Sequence, residues 1–462
     1  MRAALLLLVL FAWIRAASAQ PPAAGNLELG ANDRILILAP HPDDEVLGCG
    51  GIIQRSVALK LPIKVVYFTY GDNNEWSFLV YRKHAVVLPS AVKQMGLIRH
   101  DEALAAALSL GLQTNQLLFL GYPDFGTLKI WTSHWGDSPP YASMMTRTTQ
   151  VPYPNAFRPG AAYLGQEIVR DLTSILREFK PTRIFVSHPA DFNVDHRALY
   201  CFTRLTLWNL EREMRPEVFP YLIHFPDWPR PRGHHPEHPL LPPVYFDDDI
   251  AWKTLDLSPD IVAGNEKAIR LHRSQFEYAG HYLSSFLRTN ELFGDFAPLI
   301  FPASGLHSPR LLHATSPAVD SPAHYPENED NQLTEAERNG FVGLEWRHVQ
   351  IESNTVTVSI TLSRPLAETV SASIHIFGYR RDTPFEAMPK IRVEIGALLH
   401  SAHDRQTPLP HNSIRVSRHL RELEAQIPLD LLGRPERLFV SARTYLGDIP
   451  LDWVSWRLVE LR

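Results

Sequence analysis

The chain has 462 residues, of which 45% are hydrophobic and 21% charged, with a formal net charge of −5 and a pI near 6.5. That length suggests two to three domains with ample apolar residues for real cores. Without a basic field or a Lys/Arg cluster, nucleic acid is excluded as an expected partner.

Only two cysteines occur, Cys49 and Cys201. They could pair in an oxidising compartment, but neither a disulfide framework nor a sulfur-rich metal site is expected. Residues 1–19 carry Arg2, an apolar run from Ala3 to Ile14 and then Ala17-Ser18-Ala19, the small-x-small form of a signal-peptidase site. Export is therefore expected, with Gln20 near the mature start and a secreted or periplasmic location. An anchor helix is the alternative, but the run is shorter than the ~20 residues a span requires and Arg15 interrupts its end. No stable membrane span is expected in the mature chain.

The first structured stretch, residues 34–51, reads RILILAPHPDDEVLGCGG. Ile35 to Leu38 predicts a short buried strand that stops at Pro40, which cannot donate to a ladder. His41, Asp43, Asp44 and Glu45 follow at once, an imidazole and carboxylates that can supply metal ligands and a general base together. An acidic helix start favoured by the helix dipole would account for Asp43 to Glu45, but leaves His41 unexplained. Gly48, Gly50 and Gly51 would let a helix from Glu45 to Ala58 pack close to a sheet. Ile63 to Tyr70 reads as a second strand, and strand–helix–strand begins a parallel α/β sheet. Residues 73–98 are helical in parts. Arg99 to Leu110 is an alanine- and leucine-rich helix closing at Gly111, and Gln116 to Leu120 is a third strand that brings Asp124 to a strand end. From 122 to 160 periodicity is lost while Trp131, His134, Trp135, Tyr141 and Tyr153 accumulate. Such a stretch is either a wall or lid over a substrate pocket or a self-packed surface loop.

Ala161 to Phe179 reads as a helix and Arg183 to Ser187 as a buried strand. That strand delivers a second cluster, His188, Asp191, Asn193, Asp195 and His196, followed by a helix from Arg197 to Leu210. Both clusters then lie beyond strand ends on one rim of the sheet, where open α/β sheets bind ligands. Val218 to Phe225 predicts a further strand bearing His224. Residues 226–243 are Pro- and His-rich and irregular, with His234, His235 and His238 reading as an adventitious exposed cluster. Asp260 to Ala279 predicts a helix containing His272. Composition then shifts to a linker over 301–333. Beyond it, β-rich runs at 342–352, 355–362, 369–379, 391–395, 438–444 and 454–461 predict a β-sandwich over 334–462. The fold class is α/β over 30–300, a mostly parallel sheet with flanking helices, plus this C-terminal sandwich.

His41-Pro42-Asp43-Asp44-Glu45 after an apolar strand, the Arg99 to Gly111 helix and Asp191-x-Asn193-x-Asp195-His196-Arg197 together resemble the PIG-L/LmbE-like deacetylase superfamily. The similarity covers roughly residues 33–290. It implies a Rossmann-like domain and a zinc-dependent enzyme that removes acyl groups, commonly acetyl from N-acetylglucosaminyl compounds. It also implies Zn²⁺ held by His41, Asp44 and His196, Asp43 as general base, and Arg99 as a substrate-holding residue, a surface helix arginine being the plain alternative. Three N/O ligands leave a position open for water, whose pKa a bound metal lowers toward ~7. Fe²⁺ or Co²⁺ suits the same donors.

Many members of that superfamily carry a histidine, helping to stabilise the tetrahedral intermediate, where this chain has Asn193. Asparagine can donate a hydrogen bond to an oxyanion but no proton. His188, His224 or His272 is then left to act as general acid. Asp124 and His224 are expected to face substrate, and Asp191 and Asp195 to orient the ligands. The expected function is an exported zinc amidohydrolase that deacetylates an N-acetylglucosamine-type sugar, a related small molecule or a glycan. The alternative is a carbohydrate-binding protein that has kept its metal and lost catalysis. No G-x-S-x-G elbow occurs, which disfavours a serine hydrolase. A paired-carboxylate glycosidase would leave His41 and His196 without roles.

Overall fold

A computed structural model of the chain describes residues 25–73, 88–243, 250–301, 310–313 and 340–462; the expected signal peptide lies outside them. A two-residue strand β1 (Gly25–Asn26) precedes β2 (Ile35–Ala39), whose five residues are all buried. Helix α1 (Asp44–Ala58), β3 (Ile63–Thr69), α2 (Pro89–Ser109), β4 (Leu117–Tyr122) and the short α3 (Thr127–Ser133) follow. Next come α4 (Gly165–Phe179), β5 (Arg183–Ser187), α5 (Val194–Asn209) and β6 (Glu217–Tyr221). The domain closes with β7 (Lys253–Asp256), α6 (Pro259–Ile269), α7 (Arg273–Leu283) and β8 (Asn290–Phe293).

The sheet order is β1-β7-β8-β6-β5-β2-β3-β4. Strands β4, β3, β2, β5 and β6 pair in parallel, and β8 runs antiparallel to both neighbours. This is the mostly parallel α/β sheet that the apolar runs predict. From β2 the chain crosses to β3 on one side and later returns to β5 on the other. The crevice beyond those two strand ends is therefore a topological switch point, and His41 and residues 188–196 emerge there.

Close packing of α1 on the sheet depends on its glycines. A Cβ on Gly48 would collide with the Tyr221 ring, and one on Gly51 with Leu257. The helix is kinked at Cys49 (φ −143°, ψ 16°), and buried Glu291 of β8 accepts from the freed N–H groups of Gly51 (2.5 Å) and Ile52 (3.1 Å). Cys49 and Cys201 are both buried and free. The helix expected over Asp260 to Ala279 is in fact two, α6 and α7, with His272 in the break between them.

The sandwich starts earlier than composition suggests. Strands β9 (Leu299–Phe301) and β10 (Arg310–His313) fall at the start of the expected linker and within it, and they pair with residues 459–461 and 346–349 of the sandwich. The rest of that linker, 302–309 and 314–333, lies outside the described residues. Strands β11 (Leu344–Glu352), β12 (Thr355–Leu362), β13 (Val370–Tyr379), β14 (Lys390–Ile395), β15 (His400–Asp404), β16 (Thr407–Pro408), β17 (Arg415–His419), β18 (Glu422–Pro428), β19 (Arg437–Leu446) and β20 (Ile449–Leu461) complete it. Five form the sheet β10-β11-β12-β18-β17 and seven the sheet β16-β15-β14-β13-β19-β20-β9. Val356, Val358 and Ile360 of the first interdigitate with Ile374, Ile376 and Val393 of the second in one apolar core.

The outer face of the seven-stranded sheet docks on the α/β domain, and the aromatics of residues 122–160 make the joint. Trp131 and Trp135 are fully buried. The Trp131 ring lies 4.9 Å from Phe439, 5.5 Å from Phe385, and 5.8 Å from both Phe377 and Trp456. Neither a pocket wall nor a self-packed loop describes these two tryptophans; they join two domains through a shared core. Tyr153 stacks on Tyr70 with ring centroids 3.8 Å apart. No helix among the described residues is long and apolar enough to cross a membrane.

Candidate active site

The turn after β2 sends three side chains in different directions. Asp43 adopts a φ of 130°, a region that L-residues rarely occupy and that marks stored strain. Next to it, Asp44 folds its carboxylate back so that Oδ2 accepts from the His41 backbone N–H (2.9 Å). His196 arrives from the first turn of α5. Its Nε2 lies 3.0 Å from Asp44 Oδ2 and 3.2 Å from His41 Nδ1, and His41 Nδ1 is 3.2 Å from Asp44 Oδ2. The three donor atoms form a nearly equilateral, buried triangle. Ligands ~2.0–2.1 Å from a tetrahedral Zn²⁺ lie ~3.3–3.4 Å apart, so this set fits a small divalent cation with one position left open.

Behind each imidazole stands a carboxylate. His41 Nε2 is 3.0 Å from Asp124 Oδ1 and 3.3 Å from Asp195 Oδ2, while His196 Nδ1 is 3.0 Å from Asp191 Oδ2. Carboxylates facing the far ring nitrogens favour the tautomers that leave His41 Nδ1 and His196 Nε2 toward the triangle. The carboxylates are held in turn. Asp124 accepts from Asn73 N–H (2.8 Å), and Asp195 from the N–H groups of Phe125 (2.6 Å) and Thr127 (3.2 Å) and from the Thr127 hydroxyl. Asp191 accepts from the N–H groups of Asn193 (2.9 Å), Ile223 (3.0 Å) and His224 (2.9 Å). Asp124, expected to face substrate, instead has a fully buried side chain behind His41.

Such an arrangement attracts positive charge. Burial works against a proton on His196, but Asp191 and Asp44 hold its pKa up at about 9. Burial also opposes charge on His41, yet Asp124, Asp195 and Asp44 keep it well above the usual histidine value. Asp44, despite burial, is held well below the carboxylate range by the two imidazoles.

Asp43 stays out of the triangle. Its carboxylate lies 3.3 Å from Arg99 Nη2, and its N–H donates to Glu45 Oε2 (2.9 Å). Burial pushes its pKa up to about 6 against the pull of Arg99. Arg99 is 2% exposed and also donates to Pro42 O (2.7 Å) and Gly71 O (2.8 Å). It thus braces the turn after β2 and is not a surface helix arginine. Glu45 Oε1 lies 3.0 Å from His272 Nε2.

The remaining histidines divide. His188 accepts from Ala190 N–H (3.0 Å) at Nδ1, stacks near Trp252 and Phe296, and burial lowers its pKa to about 3. It is a buried core residue. His224 is half-buried with its ring 4.9 Å from that of His196, and burial lowers it to about 4. Asn193 caps α5, its side-chain oxygen accepting from Asp195 N–H (2.8 Å), which leaves the amide NH₂ to donate. Among the loop histidines, His238 Nε2 lies 3.3 Å from Glu237, with His235 beside them at the surface, and His234 is 3.4 Å from Glu266.

Residues 36–207 match the PIG-L family, described as GlcNAc-PI de-N-acetylases. The match runs from β2 to α5 of the α/β domain. Over 262 residues the chain is 29% identical to a 1D-myo-inositol 2-acetamido-2-deoxy-alpha-D-glucopyranoside deacetylase of Actinosynnema mirum, covering 54% of this chain and 83% of that one. A protein of the same name and numbered 1, from Saccharopolyspora erythraea, is 28% identical over 172 residues, 37% of this chain and 51% of that one. Among solved structures, an N,N'-diacetylchitobiose deacetylase from Pyrococcus horikoshii matches at 20% identity and a TM-score of 0.34, over 56% of this chain and 82% of that one.

Within the α/β domain, sequence reasoning misses the Glu45–His272 pair, whose members are 227 residues apart, and the backbone donors at Asn73, Phe125 and Thr127. No local pattern signals them. Only the carboxylates they serve stand at strand ends.

Proposed function

We propose that this protein is a metal-dependent amidohydrolase that removes the acetyl group from an N-acetylglucosamine-type sugar or glycan, with Zn²⁺ as the resident ion. The observation that carries this reading is the closed donor triangle with Asp43 beside it, strained, braced by Arg99 and unused as a ligand. A protein that only binds glycans has no use for that carboxylate. The names of the PIG-L relatives support the substrate class.

His41, Asp44 and His196 would hold a divalent cation, which would supply Lewis acidity and lower the pKa of water there. Asp43 accepts the proton of the attacking water, and its raised pKa suits that exchange near neutral pH. As the amide C–N bond breaks, Asp43 returns the proton to the leaving amine, giving acetate and a free amino sugar. We assign the Asn193 amide and His224, whose ring lies 4.9 Å from that of His196, as donors to the developing oxyanion, and Glu45 holds the Asp43 backbone in register.

Purified protein should release acetate from N-acetylglucosamine or N,N'-diacetylchitobiose, lose that activity to a chelator and regain it with Zn²⁺. Metal-loaded protein that binds such glycans without releasing acetate from any of them would overturn the reading. We also propose export through the leader at residues 1–19. A mature protein starting at Gln20 is expected, and one starting at Met1 would reject it.

A further inference from the structure

We infer that the seam between the two domains carries an oxyanion site, formed by His375, Arg392 and Arg443 of the sandwich with Lys129 of the α/β domain. It shares no residue with the proposed metal centre. Along β13, Ala372, Ile374 and Ile376 face the sandwich core, so Ser373, His375 and Phe377 face the docked domain. Phe377 packs on Trp131. Beside that aromatic contact the face turns polar and basic. His375 sits opposite Arg392 on one side and Ser441 on the other, and Ser373 opposite Glu394 and Arg443.

His375 is 5% exposed, and neither ring nitrogen has a hydrogen-bond partner. A buried N–H left unmade is costly, and native proteins rarely leave one without a reason. The Arg392 Nε is likewise buried and unpartnered. By strand register Arg392 and Arg443 share this outward face with His375, and after burial itself the charges of Arg443, Arg392 and Lys129 depress the His375 pKa, which keeps the imidazole neutral. Burial and the same two arginines lower Lys129.

Carboxylates balance them only in part. Among the described residues none lies within 4.0 Å of Lys129 or Arg443. Arg392 reaches only Glu394, at 3.8 Å, and Asp448 acts on Lys129 at longer range. Folding ordinarily separates like charges or pairs them. A phosphate, sulfate or carboxylate group placed here would accept from the imidazole and the guanidinium groups and relieve their repulsion together.

The test is titration of the full-length, metal-loaded protein with inorganic phosphate and sulfate, followed by calorimetry and thermal shift, against sodium chloride of equal ionic strength. Saturable one-to-one binding is expected. It should weaken at least fivefold in Lys129→Gln and Arg443→Gln and persist in His196→Ala, which disables only the metal centre. Lys129 stands at the rim, so its substitution leaves the core packing intact. To separate a free anion from one carried by substrate, turnover of a phosphorylated and an unphosphorylated N-acetyl amino sugar is compared. A KM advantage for the former that Arg443→Gln abolishes identifies a substrate-borne group, and equal KM values a free anion. Absence of saturable binding, or binding unchanged in both Lys129→Gln and Arg443→Gln, would overturn the inference.

Discussion

Asp191→Asn separates orientation of a metal ligand from ligation itself. The Asp191 carboxylate accepts from Asn193, Ile223 and His224 N–H groups and lies 3.0 Å from His196 Nδ1. As a pure acceptor it can serve all four. Asparagine has the same outline, but its amide nitrogen donates, so at least one N–H must then face another. Attraction between full charges at that separation is about 5.5 kcal/mol at an effective dielectric of ~20. That is a ceiling, since metal binding requires the neutral imidazole. Losing the partner behind a metal-bound histidine typically costs ~10–100-fold in affinity, or about 1.4–2.7 kcal/mol. We expect the metal Kd of Asp191→Asn to rise by that factor near neutral pH, read by competition with a chromophoric chelator, and acetate release to recover at saturating metal. A change of less than about twofold would refute the idea that Asp191 orients His196.

Asp43→Asn should keep its metal and lose about 10²–10⁴-fold in kcat, the usual worth of a general base; an unchanged kcat would remove Asp43 from the chemistry. Since His196 is raised to about 9, its proton must leave when metal binds, so affinity should rise with pH from ~6 to ~9, about tenfold per unit for each proton displaced. A flat profile in an isothermal titration series would contradict this. Asp43 must be ionised to act and is raised to about 6, so kcat/KM should fall as pH drops through a limb at or below that value, because a bound cation draws it down. Trp453 of the sandwich lies 3.7 Å from the Arg197 guanidinium and 5.0 Å from the Phe192 ring, residues on either side of His196 at the start of α5. Trp453→Ala should cost ~3–5 kcal/mol in denaturant unfolding and weaken metal binding as well. A stability loss with metal affinity intact would make the sandwich a packing partner alone.

The parts legible in the sequence are those written in contiguous residues. Ile35 to Ala39 is an unbroken apolar run because a central parallel strand is buried on both faces, and the donors of the site follow β2 and β5 directly, so their convergence is a consequence of topology. What stays hidden depends on partners distant in the chain. Asp124 looks like a substrate carboxylate until His41 is seen in front of it, and Trp131 looks like a pocket aromatic until Phe439 and Trp456 cover it. Strands β15 and β17 (HSAHD, RVSRH) are polar edge-side strands with little apolar alternation, and β10 owes its place to pairing with β11. His272 reads as one position in a long helix, whereas the break before α7 frees its ring to meet Glu45.

Metal content tests the central claim most directly. Mass-spectrometric analysis of exhaustively dialysed protein should find one equivalent of transition metal per chain in the wild type and none in His196→Ala. Wild-type protein that retains no metal after exposure to Zn²⁺, or a His196→Ala variant that keeps a full equivalent, would contradict it.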